Sequence, residues 1–180
     1  MRAPRILEYT ILGTASVDHL EIPGPTEPTV YIFRTNADTT AQRILGYRVI
    51  SKLSTIPGTV TSLSHTRGLV AIYAYTRGVR LGIDVELKTR KIPSASRAKI
   101  HKMDSIDTSS IEPIQTWVLK EAAYKVLYPK LHADIWVDDL SLSFWQPSSY
   151  DAVVVHYDAS VLAKIIETSQ YWIGISSATN

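Results

Sequence analysis

An α+β fold, with helices laid against antiparallel sheet, is predicted by three features of the sequence. A helical pattern followed by a run of strand patterns occurs twice, from Asp38 to Leu87 and again from Pro113 to Ser177. The strand patterns are short, β-branched or aromatic, and bounded by turn residues. The chain has 180 residues, enough to bury roughly 70% of its extended surface without staples. The expected organisation is a single unit over 1–180, with pseudo-equivalent halves at roughly 1–103 and 104–180.

In chain order, Ile6–Leu12 and Thr29–Arg34 read as strands, and Pro23, Gly24, Pro25 and Pro28 between them as an extended loop. Asp38 or Thr39 caps a helix running to about Lys52, with Ile44, Leu45, Val49, Ile50 and Leu53 as its apolar side. After a Pro57-Gly58 turn come three strands, Val60–His65, Leu69–Tyr75 and Val79–Leu87. The third alternates, with Leu81, Ile83, Val85 and Leu87 on one face and Gly82, Asp84 and Glu86 on the other. Lys88–Lys102 carries six basic residues and no acid, and Ser94 or Ser96 starts a short helix inside it. Pro113 opens a longer helix, because a first-turn proline wastes no intrahelical donor, and Pro129 closes it. Leu140–Trp145, Ala152–Tyr157, Val161–Thr168 and Tyr171–Ser177 follow as antiparallel strands, the last two joined by a tight turn near Ser169-Gln170.

Composition excludes several classes of function. Without cysteine there are no disulfides, thiolate zinc sites or cysteine nucleophiles. The N-terminus leads into a short apolar stretch interrupted by Glu8, not into a signal-peptide core. No apolar run approaches the ~20 residues a bilayer span needs, so a cytoplasmic protein without membrane contact is expected. A net charge of +2 gives no argument for nucleic acid.

Chemistry concentrates in three places. Projected at about 100° per residue, Glu121 and Lys125 share an arc of the Pro113 helix with Ile114, Trp117, Val118 and Tyr128. The remaining circumference is mostly apolar, so both charges are expected to face inward, which is costly unless something pairs with them. An ordinary i,i+4 ion pair between the two, worth ~0.2–0.5 kcal/mol, is the plain reading. Asp84 and Glu86 project from one strand face, and Gly82 beside them leaves room for a bulky group. Two such carboxylates suit a hard cation such as Mg²⁺; a solvent-facing polar edge is the simpler account. His65, which taken alone reads as structural, ends the run Ser62-Leu63-Ser64-His65-Thr66 before Arg67-Gly68. Hydroxyls, imidazole, guanidinium and glycine backbone together suit a phosphate.

Taken in order, Ser64-His65-Thr66, then Gly82-Ile83-Asp84-Val85-Glu86, then Trp117-x-x-Lys120-Glu121-Ala122-x-x-Lys125 resembles the 4′-phosphopantetheinyl transferase superfamily. The first element and the chain length look like the surfactin-synthetase and enterobactin-synthase activators. Lys125-Val126-Leu127-Tyr128-Pro129 is especially similar to the enterobactin kind. The resemblance covers Ala41 to Pro129 well and the C-terminal strands loosely. It implies transfer of 4′-phosphopantetheine from coenzyme A to a serine of an apo acyl or peptidyl carrier protein. It also implies a fold of two pseudo-symmetric halves, which makes a monomer sufficient.

By the same resemblance, Asp84, Glu86 and Glu121 hold Mg²⁺ on the coenzyme A pyrophosphate, and Lys125 stabilises the departing adenosine 3′,5′-bisphosphate. Ser64 and His65, with Thr66 beside them, contact coenzyme A phosphates, and Arg43 holds the 3′-phosphate. Glu121 has two roles open to it, metal ligand and base for the serine proton. Arg97, Lys99 and Lys102 are candidates for docking an acidic carrier, against the plain reading of solvated surface. The chain departs from the family pattern at Thr55-Ile56-Pro57-Gly58-Thr59, where relatives often carry Gly-Lys-Pro near the adenine.

Overall fold

Residues 3–11, 20–76, 78–127 and 136–179 are described by the computed structural model. Strands β1 (Arg5–Ile11), β2 (Thr29–Thr35), β3 (Val60–Thr66) and β4 (Leu69–Tyr75) form one sheet, in the order β1-β2-β4-β3. Strands β5 (Val79–Leu87), β6 (Ser141–Gln146), β7 (Asp151–His156), β8 (Ala159–Glu167) and β9 (Tyr171–Thr179) form a second, in the order β5-β9-β8-β7-β6. Among the described residues three α-helices, α1 (Thr39–Ser54), α2 (Ser94–His101) and α3 (Pro113–Leu127), complete the α+β class expected from sequence. No helix among the described residues is long and apolar enough to cross a membrane.

Period-two alternation sorts the side chains of β2 and β4 into two cores. Tyr31, Phe33, Val70, Ile72 and Ala74 pack beneath Leu45, Val49 and Leu53 of α1. Val30, Ile32, Leu69, Ala71 and Tyr73 point the other way, against Leu81, Ile83, Val85, Ile173 and Ile175 of the second sheet. The far face of that sheet packs on α3, with Ile100 of α2 in the same cluster. The layers therefore run α1, first sheet, second sheet, α3. Burial on both faces accounts for the continuous apolar runs of β2 and β4. Each Val, Leu, Ile or Phe fully buried in these layers contributes about 1.5–3 kcal/mol.

The all-antiparallel expectation fails at one pair. β1 runs parallel to β2, Arg5 opposite Thr29 and Ile11 opposite Thr35. A parallel neighbour needs a long crossover, and the connection over 12–28 is long enough to return the chain to the same end. β5 pairs with β9, Asp84 opposite Gly174, so it belongs to the second sheet although it follows the first-sheet strands in sequence. Asp38 is the cap of α1, its Oδ1 accepting from the Ala41 N–H at 2.8 Å. Leu12, Tyr128 and Pro129, assigned roles above, lie outside the described residues.

Candidate active site

Two glycines set the position of α3. A Cβ on Gly82 would stand 1.9 Å from the Ala122 carbonyl oxygen, and one on Gly174 would stand 2.2 Å from that of Val118. These are backbone atoms in a helix and cannot step aside, so only glycine lets α3 lie this close to β5 and β9. The room that Gly82 leaves is thus filled by the helix itself, which corrects the expectation of an open space for a ligand.

The close approach carries Lys125 onto β5. Its Nζ donates to the Ile83 carbonyl at 2.6 Å and reaches Asp84 Oδ1 at 3.3 Å. Ser64 Oγ donates to the same Asp84 oxygen at 2.8 Å. Lys125 therefore pairs with Asp84, and the i,i+4 ion pair with Glu121 is not made. Asp84 Oδ2 is buried and has no hydrogen-bond partner. Burial holds the Asp84 carboxyl above the ordinary carboxylate range, against the opposing pull of Lys125 and of the Ser64 hydroxyl.

Glu86 projects from the same face of β5. One carboxylate oxygen is paired with Arg90, and the other lies 3.5 Å from Thr66 Oγ1. Glu121 is half-buried on α3, and its carboxyl is also raised, by burial first and then by the charge of Asp84. Lys125 and Arg90 act on Glu121 in the opposite direction. Three carboxylates and two cations thus share the junction of β3, β5 and α3, with one negative charge in excess.

Among the described residues, no three His, Asp or Glu side chains stand close enough to form a ready-made metal cluster. The chemistry of the site nevertheless fits a divalent cation. A buried carboxylate oxygen with no partner carries a desolvation cost of about 1–3 kcal/mol or more, which a proton, a water or a hard cation relieves. Asp84 supplies that oxygen, with Glu86 and Glu121 beside it.

Ser64 and His65 leave β3 on opposite faces, so the Ser-His-Thr run does not act as one group. Ser64 and Thr66 turn to the two carboxylates of β5, while His65 sits within the field of Arg43 on α1. Burial, then Arg43 and Lys125, hold the His65 imidazole below its ordinary value, and Asp84 pulls it the other way. The neutral imidazole is thereby favoured over the imidazolium. Arg67 and Gly68 line a separate cavity of about 570 Å³ at the start of α1, together with Asp38, Thr39 and Gln42. Glu121 and Trp117 line another of about 330 Å³, between α3, Lys99 and Ile100 of α2, and the exposed Trp136.

The basic segment is only partly free. Lys88 pairs with Glu167 at 2.5 Å and lies over the Trp172 ring, Arg90 holds Glu86, and Arg97 Nε donates to the Ile92 carbonyl. Lys99 and Lys102 are exposed.

Glu121 and Lys125 do face inward, toward β5 and Asp84, but a third charge of α3 lies deeper than either. The fully buried charge is Lys120, paired with Asp104 Oδ1 at 2.6 Å and bonded to the Ile100 carbonyl. Asp104 also accepts from the Leu142 N–H and contacts His101, so it ties α2, α3 and β6 together. Lys120 faces inward because α3 is covered on its α2 side as well as on its sheet side. Sequence reasoning missed Arg90 and Asp104. The only available signal was four-residue spacing from Glu86 for the first; none pointed to the second.

No family model matches the chain, and no curated protein matches it.

Proposed function

We propose that this protein is a Mg²⁺-dependent transferase, moving 4′-phosphopantetheine from coenzyme A to a carrier-protein serine and releasing adenosine 3′,5′-bisphosphate. The fold is read as that of the 4′-phosphopantetheinyl transferases, with two pseudo-symmetric halves in one cytoplasmic chain. One observation carries the reading: Ser64, Asp84 and Lys125, from three segments far apart in sequence, meet at a single carboxylate oxygen.

The carrier serine must attack phosphorus while negative charge grows on the departing bridging oxygen. Positioning and electrostatics are then the main tasks of the protein. A divalent cation held by Asp84, Glu86 and Glu121 would supply positive charge to the pyrophosphate when bound. Lys125, whose Nζ is held on the Ile83 carbonyl, would supply positive charge to the leaving group. Glu121, with its proton affinity raised by burial and by Asp84, suits accepting the serine proton. His65, on the Arg43 side of β3, offers a hydrogen bond to a phosphate oxygen and exposed Arg43 a guanidinium to the 3′-phosphate, while the Ser64 and Thr66 hydroxyls orient the β5 carboxylates. Exposed Lys99 and Lys102, with Arg97, offer an acidic carrier protein a docking surface that raises its association rate.

A second reading, a non-catalytic relative that binds coenzyme A or a carrier protein, is favoured by the ion pair between Arg90 and Glu86, which occupies a candidate ligand. Incubating the protein with apo carrier, coenzyme A and Mg²⁺ and weighing the carrier separates the two. The transferase reading predicts a phosphopantetheine mass increment. Coenzyme A binding without the increment selects the second reading, and binding of neither partner contradicts both.

A further inference from the structure

We propose that Arg90 is an internal counter-ion that competes with a divalent cation for Glu86, so that the cation site is complete only when this guanidinium is displaced. The inference rests on the reading of Asp84, Glu86 and Glu121 as cation ligands. Glu86 sits at the end of β5, held by the strand ladder opposite Trp172. Its side chain is only 11% exposed, whereas that of Arg90 is 46% exposed, so Arg90 is the member of the pair free to leave.

The turn after β5, closed by the Arg90 N–H on the Leu87 carbonyl at 3.0 Å, brings the guanidinium back over the carboxylate. Trp117 lies under it, with the guanidinium carbon 5.9 Å from the ring centroid. The outward side of Arg90 borders a cavity of about 220 Å³ whose charged lining is Lys88, Lys91, Arg97 and a single acid, Glu112. Three cations against one carboxylate make the outward position less favourable than Glu86 for Arg90 in the free protein.

Charge counting gives the consequence. With Arg90 in place, the three carboxylates and two cations carry one excess negative charge, poorly matched to a divalent ion. With Arg90 gone the excess is two. Arg90 holds Glu86 Oε1 and Thr66 Oγ1 stands 3.5 Å from Oε2, so a cation taking both oxygens displaces Arg90, and a cation on Oε2 alone meets its repulsion.

The test is Mn²⁺ alone, titrated into the full chain with free ion followed by its paramagnetic resonance signal. Wild type, Arg90→Gln, Glu86→Gln and the double variant are compared, each first checked for folding by circular dichroism. Arg90→Gln is expected to tighten Mn²⁺ binding at least about tenfold, the scale of removing one neighbouring unit charge. Glu86→Gln is expected to abolish that gain. Equal affinity in wild type and Arg90→Gln overturns the competition but leaves the cation site standing. A gain that survives Glu86→Gln also overturns it, because the effect is then general charge and not a shared ligand. Absence of Mn²⁺ binding in all four removes the cation site itself, and the competition with it.

Discussion

Helices α1 and α3 each cover a sheet, but they meet it differently. On α1 the closest approach is Gly46, where an added Cβ would stand 2.7 Å from the end of the Leu63 side chain, a group that can rotate away. On α3 the corresponding contacts are backbone carbonyls against Gly82 and Gly174. α1 buries one stripe, Gln42, Leu45, Gly46, Val49 and Leu53, and leaves Arg43, Ile44 and Tyr47 exposed. α3 is buried on several sides, charge included. The first arrangement tolerates adjustment. The second seats the helix backbone directly on the strands, and the same close approach brings Lys125 to the Asp84 oxygen that Ser64 also holds.

Four tests, built on seven substitutions, break or sharpen the contrast, ordered by the largest effect each expects. Lys120→Ala leaves Asp104 buried without its cation, and breaking such a pair costs about 3–5 kcal/mol. Exposed Arg43→Ala on α1 is expected to change stability by less than about 0.5 kcal/mol. Urea unfolding of both variants checks the pair. Gly82→Ala and Gly174→Ala force backbone apart, with overpacking penalties of about 1–3 kcal/mol or more. Gly46→Ala asks only Leu63 to move and gains about 0.5–1 kcal/mol of helix preference, so its net effect is near zero. Equal losses at Gly46 and Gly82 would remove the distinction between the two helices.

Asp38→Ala tests α1 at its own weak point. Loss of the cap on the Ala41 N–H is expected to cost about 1 kcal/mol, with no effect on the α3 junction. Glu121→Gln gives the smallest effect, and one that depends on pH. The folded state raises the Glu121 carboxyl and so favours its protonated form. That contribution is fully present below the unfolded value and is lost as pH rises through the folded one. In cation-free buffer the variant should therefore match wild type in acid and exceed it in Tm near neutrality. Parallel Tm profiles across that range would contradict the assignment.

Much of the fold was legible because strand alternation and helix punctuation are local. β4 and β5 have the bounds that their residues predict, Leu69–Tyr75 and Val79–Leu87, and Asp38 caps α1 as its position before the apolar stripe suggests. Strand pairing was not legible, since β1 joining β2 in parallel and β5 joining β9 depend on partners distant in sequence. At the site, the common face of Asp84 and Glu86 follows from period two. The close approach at Gly82 was read with the wrong occupant, because a glycine announces proximity without naming what comes near. Lys120 was missed because a helical projection cannot tell how many sides of a helix are covered. Arg90 was missed because its contact depends on the turn after Leu87.

The most direct test is a crystal grown with coenzyme A and Mn²⁺ and measured at the manganese edge. The account predicts an anomalous peak against Asp84, with Glu86 and Glu121 around it and Lys125 at the pyrophosphate. Coenzyme A ordered elsewhere, or manganese away from Asp84, would contradict it.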